Sequence, residues 1–330
     1  MIVWRHSGIL IVASVIASVS TAGLATAQNW PTRPVTMVVP FAAGSASDTV
    51  GRILGARLSE VLAQQVIIEN VGGAGGMTGA SRVARAAPDG YQFVLGTAGT
   101  HAQNQTLYKN ALYNAAADFA PVALIVEQPM VLVARKDLRA DNLREFIAYA
   151  EANRAKMQFG SAGTGAASHL ACVLLNAAIG INVTHIPYRG SGPAMQDLIA
   201  GRIDYQCTTS TNSIPQIEGG LVKALAILSR DRSPMLPALA SAEEQGLADF
   251  EAGTWDAFFL PKGTPAAIVR KLHDATVATM ETPWVQERLK ELGTSVPSPE
   301  RRSPQYLQKF VESEIEKWAG PIRASGVSMN

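Results

Sequence analysis

The chain is 330 residues long, only 17% charged, and carries 28 basic residues against 27 acidic ones. That near-balance leaves no electrostatic footprint for nucleic acid or an anionic membrane surface. Two cysteines and five histidines, scattered without zinc-site spacing, recommend no metal, and 28 glycines point to an α/β body with many tight turns.

The N-terminus reads as a targeting segment. Arg5 and His6 precede a short apolar run from Gly8 to Val19, and Ala25-Thr26-Ala27 offers small residues for cleavage before Gln28. The run is shorter than the roughly 20 residues that span a bilayer. Residues 1–27 are therefore expected to leave as a signal peptide, taking Arg5 and equalising the basic and acidic counts. No cysteine stands at the cleavage point to carry a lipid, and no later apolar run is long enough to span. The expected product is a soluble protein outside the cytoplasm.

Val35 to Val39 is a β-branched strand ended by Pro40, and "FAAGSASD" leads into a helix through Ile53, Leu54, Leu58, Val61 and Leu62. Val66 to Glu69 is the next strand, "NVGGAGGMTG" opens a helix around 80–87, and Pro88-Asp89-Gly90 is a turn before a strand at Tyr91 to Leu95. This βαβαβ grammar predicts a parallel sheet flanked by helices. Phe119 to Val126 and Met130 to Ala134 read as two strands able to pass between domains. A second α/β unit follows: helix Leu143 to Asn153, strand Gln158-Phe159, helix Ala166 to Ile179, strand Val183 to Ile186, helix Ala194 to Ala200, strand Asp204 to Cys207, helix Ser213 to Glu218 and strand Val222 to Leu228. Thr254 to Leu260 is strand-like, and helices are predicted from Pro265, over Val285 to Leu292 and over Tyr306 to Trp318. Three hundred residues exceed one comfortable core, so two domains with a cleft between them are expected. Cys172 and Cys207 are free to pair in an oxidising compartment or to remain buried thiols.

Ligands in open α/β sheets gather beyond the carboxyl ends of strands. Three loops there share a composition: "PFAAGSASD" (40–48), "GTAGTH" (96–101) and "GSAGTGAASH" (160–169). Glycines let amides converge, hydroxyls add donors, and the following helix contributes free N–H groups and its positive end. "PYRGSGPA" (187–194) adds Tyr188 and Arg189. Each residue also has a structural reading. Asp48 and Ser45 suit a helix cap, Thr97 and Thr100 a strand end, and Ser168 and His169 a helix start. Arg189 suits an ion pair across the domain seam, Asp204 a turn, and Trp255 either core packing or a wall over a ligand. "NVGGAGG" (70–76) reads best as a tight turn.

Enzymatic motifs fail. No lysine follows the glycines of 160–169 as a Walker loop requires, "GGAGG" is a weak dinucleotide fingerprint, and "GSAGTG" misplaces the serine of a hydrolase elbow. No paired carboxylates stand out for acid–base work, and no cofactor is implied.

Read as a whole, the chain resembles the periplasmic solute receptors of the tripartite tricarboxylate transporters, the Bug (TctC-like) family. "WPTRPVTMVVPFAAGSASD", "ENVGGAGGMTGASRVARAAPDGYQFVLGTAGTHAQNQTLY", "FGSAGTGAASHL", "THIPYRGSGPAMQDLIAGRIDY" and "TWDAFFLPKGTP" carry the resemblance in order. It implies a two-domain periplasmic solute-binding fold of type II-like form. Domain 1 is expected over 28–126 plus 250–330 and domain 2 over 127–249, each a β-sheet flanked by helices. It also implies two loops that pincer a carboxylate through backbone amides and water. Here they are Phe41 to Asp48, with Ala42 and Ser45, and Ser161 to His169, with Thr164, Gly165 and Ser168. Thr97 to Thr100 would line the same cleft, and Tyr188, Arg189, Gly190 and Trp255 would approach the far end of the ligand. The implied partners are a small organic carboxylate and membrane permease subunits, met by a periplasmic monomer. A sensor feeding a two-component system shares the same site logic. Gly44-Ser45 departs from the family's Gly-Gly, and Asp256, if it faces the cleft, would favour a ligand with a positive group at one end.

Overall fold

The structure is a computed structural model that describes residues 30–329. The expected signal peptide lies outside the described residues. Strands β1 (Val35–Val39), β2 (Val66–Asn70) and β3 (Gln92–Thr97) run parallel with β1 in the middle, joined by helices α1 (Ala46–Leu62) and α2 (Met77–Ala84). Ser45 caps α1, accepting from the Asp48 N–H, and Val50, Leu54 and Leu58 recur on its buried face. After β3 the chain makes a π-helical turn at Gly99–Gln103 and a short helix α3 (Asn104–Leu107).

Strand β4 (Phe119–Arg135) is the spine of the molecule. The sequence reads as two strands here, Phe119 to Val126 and Met130 to Ala134. The chain instead runs straight through 17 residues, and Pro129 falls where the partners change. Residues 119–129 pair antiparallel with β9 (Gly253–Pro261), while Met130 to Arg135 pair with β7 (Tyr205–Thr209) and β8 (Val222–Ile227). On either side of Pro129, Glu127 N–H donates to Ser295 O and Met130 N–H to Ala252 O. Strands β5 (Gln158–Ser161) and β6 (Thr184–Pro187) complete the order β2-β1-β3-β9-β4-β7-β5-β6, with β8 also on β4.

The result is a two-domain α/β fold. Helices α4 (Leu143–Asn153), α5 (Ala167–Ala178), α6 (Ser191–Ile199) and α7 (Ser210–Glu218) dress the second lobe. Phe146, Phe159, Leu175 and Tyr205 fill one face of its sheet, and Val131, Leu198 and Ile227 the other. Helices α8 (Ala266–Met280), α9 (Pro283–Glu291) and α10 (Pro304–Ala324) return to the first lobe. There Leu272 and Val285 join the core of α1, and Leu307 and Trp318 join that of α2. Helices α6 and α7 begin three residues earlier than the sequence predicts. Pro193 lies in the first turn of α6, where a missing N–H has no intrahelical partner to lose.

Cys172 of α5 and Cys207 of β7 form a disulfide inside the second core. The bond closes a loop with a sequence separation of 35, for which chain-entropy arguments give about 3–4 kcal/mol. Reduction, or a paired Cys172→Ala/Cys207→Ala change, is expected to lower the unfolding free energy from urea titration by that order, and the midpoint with it. An unchanged midpoint would show that packing alone holds α5 on β7.

Candidate functional site

The site forms where the N-terminal ends of α1, α5, α6 and α7 meet across the two lobes. Phe41, Ser45, Ala46 and Ser47 approach from the first lobe. Ala166, Ala167 and Ser168 come from α5, Ser191 from α6, and Thr208 and Thr209 from the end of β7. Thr97, Gln128, Thr254 and Asp256 form the floor from β3, β4 and β9. These residues enclose a cavity of ≈ 40 Å³.

The first pincer is held open from behind. Asp48 is buried and accepts from Gly44 N–H (2.9 Å), Asn70 Nδ2 (2.9 Å) and Arg52 Nε (2.8 Å). Burial would raise its carboxyl, but the bonds from Arg52, Gly44 and Asn70 outweigh it and keep it below its ordinary value. Asn70 also donates to Phe41 O, so one side chain ties the loop at both ends. Asp48 therefore shapes the loop and does not line the cavity. The Ser47 amide donates to no protein acceptor among the described residues.

The second pincer is braced in the same way. Ser161 Oγ bonds His185 Nε2 (2.7 Å) and accepts from Gly163 N–H (3.1 Å), Ser168 Oγ accepts from Ala162 N–H, and His169 Nδ1 accepts from Gly165 N–H (3.3 Å). Among the described residues the amides of Ala167 and Ser168 have no protein acceptor, and both residues line the cavity at the helix N-terminus. The rings of His169 and His185 stack on Phe159. Burial lowers His169 to about 3, helped by the neighbouring His185, and lowers His185 to about 4. Both remain neutral, so His169 Nδ1 keeps the lone pair that accepts from Gly165 N–H.

The lobes touch directly. Ala42 N–H donates to Arg189 O (2.8 Å), Ala46 N–H to Ser191 Oγ (3.1 Å), and Tyr108 Oη to Thr164 O (2.9 Å). A Cβ placed on Gly192 would lie 2.5 Å from Gly44 O, so backbone meets backbone here. This is a closed arrangement.

Of the residues singled out in the sequence, Phe41, Ser45, Thr97 and Ser168 line the cavity. Ala42, Asp48, Ser161, Thr164, Gly165, His169 and Gly190 shape its rim or clasp it shut. Thr100 stands one layer back and accepts from Thr97 N–H (2.8 Å). Four others lie elsewhere. Tyr188 donates its hydroxyl to Asp197, Arg189 contributes its carbonyl while its side chain is exposed, and Asp204 bonds Arg135 and the Gln158 N–H. Trp255 turns away, its indole bonded to Glu314 of α10 at 2.9 Å. Strand alternation is the reason: if Trp255 faces α10, Asp256 must face the cleft. The sequence reading also missed Gln128, Thr208, Thr209 and Thr254. Their positions depend on pairing partners far along the chain, although "CTTS" before a helix is a weak local signal.

Among the described residues no His, Cys, Asp or Glu group is arranged to hold a metal ion. No described helix is long and apolar enough to cross a membrane.

A model of the tripartite tricarboxylate transporter family receptor matches residues 50–327. The UPF0065 protein in the TAR-I ttuE-ttuC' intergenic region of Agrobacterium vitis is 41% identical over 322 residues, 98% of this chain and 92% of that protein. Two solved structures superpose over nearly the whole fold. The periplasmic binding protein BugD gives a TM-score of 0.88 at 41% identity, covering 91% of this chain and all of that one. MatC from Rhodopseudomonas palustris with bound malate gives 0.87 at 41% identity, covering 89% of this chain and 100% of the other.

Buried His101, at 0% exposure, is lowered to about 3 by desolvation, as His169 and His185 are lowered to about 3 and 4. A base lowered on folding leaves the unfolded chain to take the proton first. Stability is therefore full above about pH 6.5 and falls below it. Asp256 opposes this, because burial raises it to about 7 and a neutral buried acid favours folding as pH drops. The net expectation from pH 7 to pH 5 is a loss on the order of 3 kcal/mol, read from urea unfolding. A flat profile would mean the histidines are hydrated.

Proposed function

This chain belongs to the tripartite tricarboxylate transporter receptor family, and on that premise we propose that it captures a small organic carboxylate between its lobes and presents the closed form to membrane permease subunits. It is a periplasmic solute receptor. The observation that supports the binding mode is that Ser47, Ala167 and Ser168 line one cavity and that their amides have no protein acceptor among the described residues. Helix N-termini favour an anion through these orphan donors and the helix dipole. Each hydrogen bond to a charge is worth roughly 1.5–3 kcal/mol. MatC, a relative, was solved with malate, which agrees with a carboxylate of a few carbons.

The contacts we assign are amides and hydroxyls of Phe41 to Ser47 and of Ala166 to Ser168, with Thr97 beneath them. We assign the lobes as 28–126 with 250–330, and 127–249, acting as a monomer that closes about the strand crossings near Pro129 and Ala252. A ligand drives closure only as far as it prefers the closed state.

Calorimetry against a panel of small mono-, di- and amino carboxylates tests this reading. At least one should bind, and Gly192→Ala should weaken it by about 10- to 100-fold. The added methyl collides with Gly44 O only when the lobes meet, and elsewhere alanine favours the helix. Silence across the panel from folded protein, or unchanged affinity in Gly192→Ala, would refute capture by closure.

A further inference from the structure

The cavity floor holds one ionisable side chain, Asp256, which is 1% exposed. Its Oδ2 has no hydrogen-bond partner among the described residues. The hydroxyls of Thr254 and Thr209, both buried and both on the same cavity, are also unpartnered. Buried polar groups are normally satisfied, so orphans gathered on one cavity mark the place of an absent partner. The lining carries no lysine, arginine or histidine to answer the carboxylate.

We propose that Asp256 selects the far end of the ligand, pairing with a cationic nitrogen of a small amino carboxylate whose carboxylate lies on the helix N-termini. Thr254 and Thr209 accept the remaining N–H groups. The inference rests on the receptor reading above and specifies its ligand class. The helix ends supply positive potential to one part of the cavity and Asp256 supplies negative charge to another. A molecule bearing both charges complements both. A second carboxylate at the floor would face Asp256 instead, and like charges at close range disfavour each other.

Asp256 is raised to about 7 by burial, so an ammonium ligand must meet the ionised form and bind better as pH rises. The histidines and Asp48 nearest the floor are all lowered, away from the range pH 6 to 8. His101 behind β3 is lowered to about 3, and His169 and His185 beside α5 to about 3 and 4. Asp48 of α1 is held ionised with Arg52. Glu127 and Glu314 pair with Arg301 and with Trp255 and Lys317 on the opposite face of the strands.

The test is calorimetry with matched pairs: L-aspartate with succinate, L-glutamate with glutarate, β-alanine with propionate, and 4-aminobutyrate with butyrate. At least one amino member is expected to bind at least about tenfold tighter than its counterpart, and Asp256→Asn to erase that preference by about 10- to 100-fold. Should Asp256→Asn fail to fold, the native chain still decides. The amino ligand's affinity should rise about tenfold from pH 6 to pH 8 as the competent, ionised fraction grows. A plain dicarboxylate that binds equally well or tighter, or a preference untouched in Asp256→Asn, or an amino ligand that weakens with rising pH, overturns the inference and leaves the receptor reading standing. Silence from all eight compounds overturns both.

Discussion

The constraint that orders this molecule is the unmet backbone N–H at a helix N-terminus. Helices α1, α5, α6 and α7 all begin at one cavity, and each brings donors that its own turns cannot satisfy. At the α1 end two amides are already answered by protein: Gly44 N–H by Asp48, and Ala46 N–H by Ser191 across the seam. The amides of Ser47, Ala167 and Ser168 are not. In an open cleft water would serve them. In the closed arrangement the cavity is small, and an anion is a partner that several of these donors can share. Closure and ligand binding are thus linked through the same hydrogen bonds.

Strands β4 and β9 make the convergence possible. Because β4 serves both lobes without a break, the carboxyl ends of the parallel strands in each lobe face one another across it. The close approach then depends on small residues. Gly192 meets the Gly44 carbonyl, Gly190 lies against Ala42, and Gly75 lies so close to Thr164 that any side chain would collide. The low side-chain bulk of these loops is a condition of closure as much as of anion binding.

Local chemistry made the pincers legible in the sequence. A strand, a run of Gly, Ser and Thr, and an amphipathic helix occupy consecutive residues, so loops 40–48 and 160–169 could be placed without knowing any long-range contact. The floor was not legible for the opposite reason. Whether Trp255 or Asp256 faces the cleft is set by the register of β9 against β3 and β4, where Thr97 pairs with Asp256 and Glu127 with Trp255. Trp255, the bulkier residue and the natural candidate for a wall, belongs to the α10 interface through Glu314. The same limit hid the Cys172–Cys207 bond, because helix α5 and strand β7 meet only in the fold.

Charge is used sparingly at this site, and that bears on how specificity can arise. Amides at helix ends bind any carboxylate of suitable size, since the interaction depends on charge and not on what lies beyond it. The braces behind the pincers are neutral histidines and a carboxylate already committed to Arg52, Asn70 and Gly44, so they add no discrimination of their own. Discrimination has to come from the floor, where buried groups penalise a ligand that leaves them unpaired. Asp256 is the floor group with most to lose, because a carboxylate desolvated without a partner is the costliest arrangement there. A receptor built this way separates a general anion grip, common to many carboxylates, from a single selective contact. One substitution at the floor can then redirect the ligand without disturbing closure.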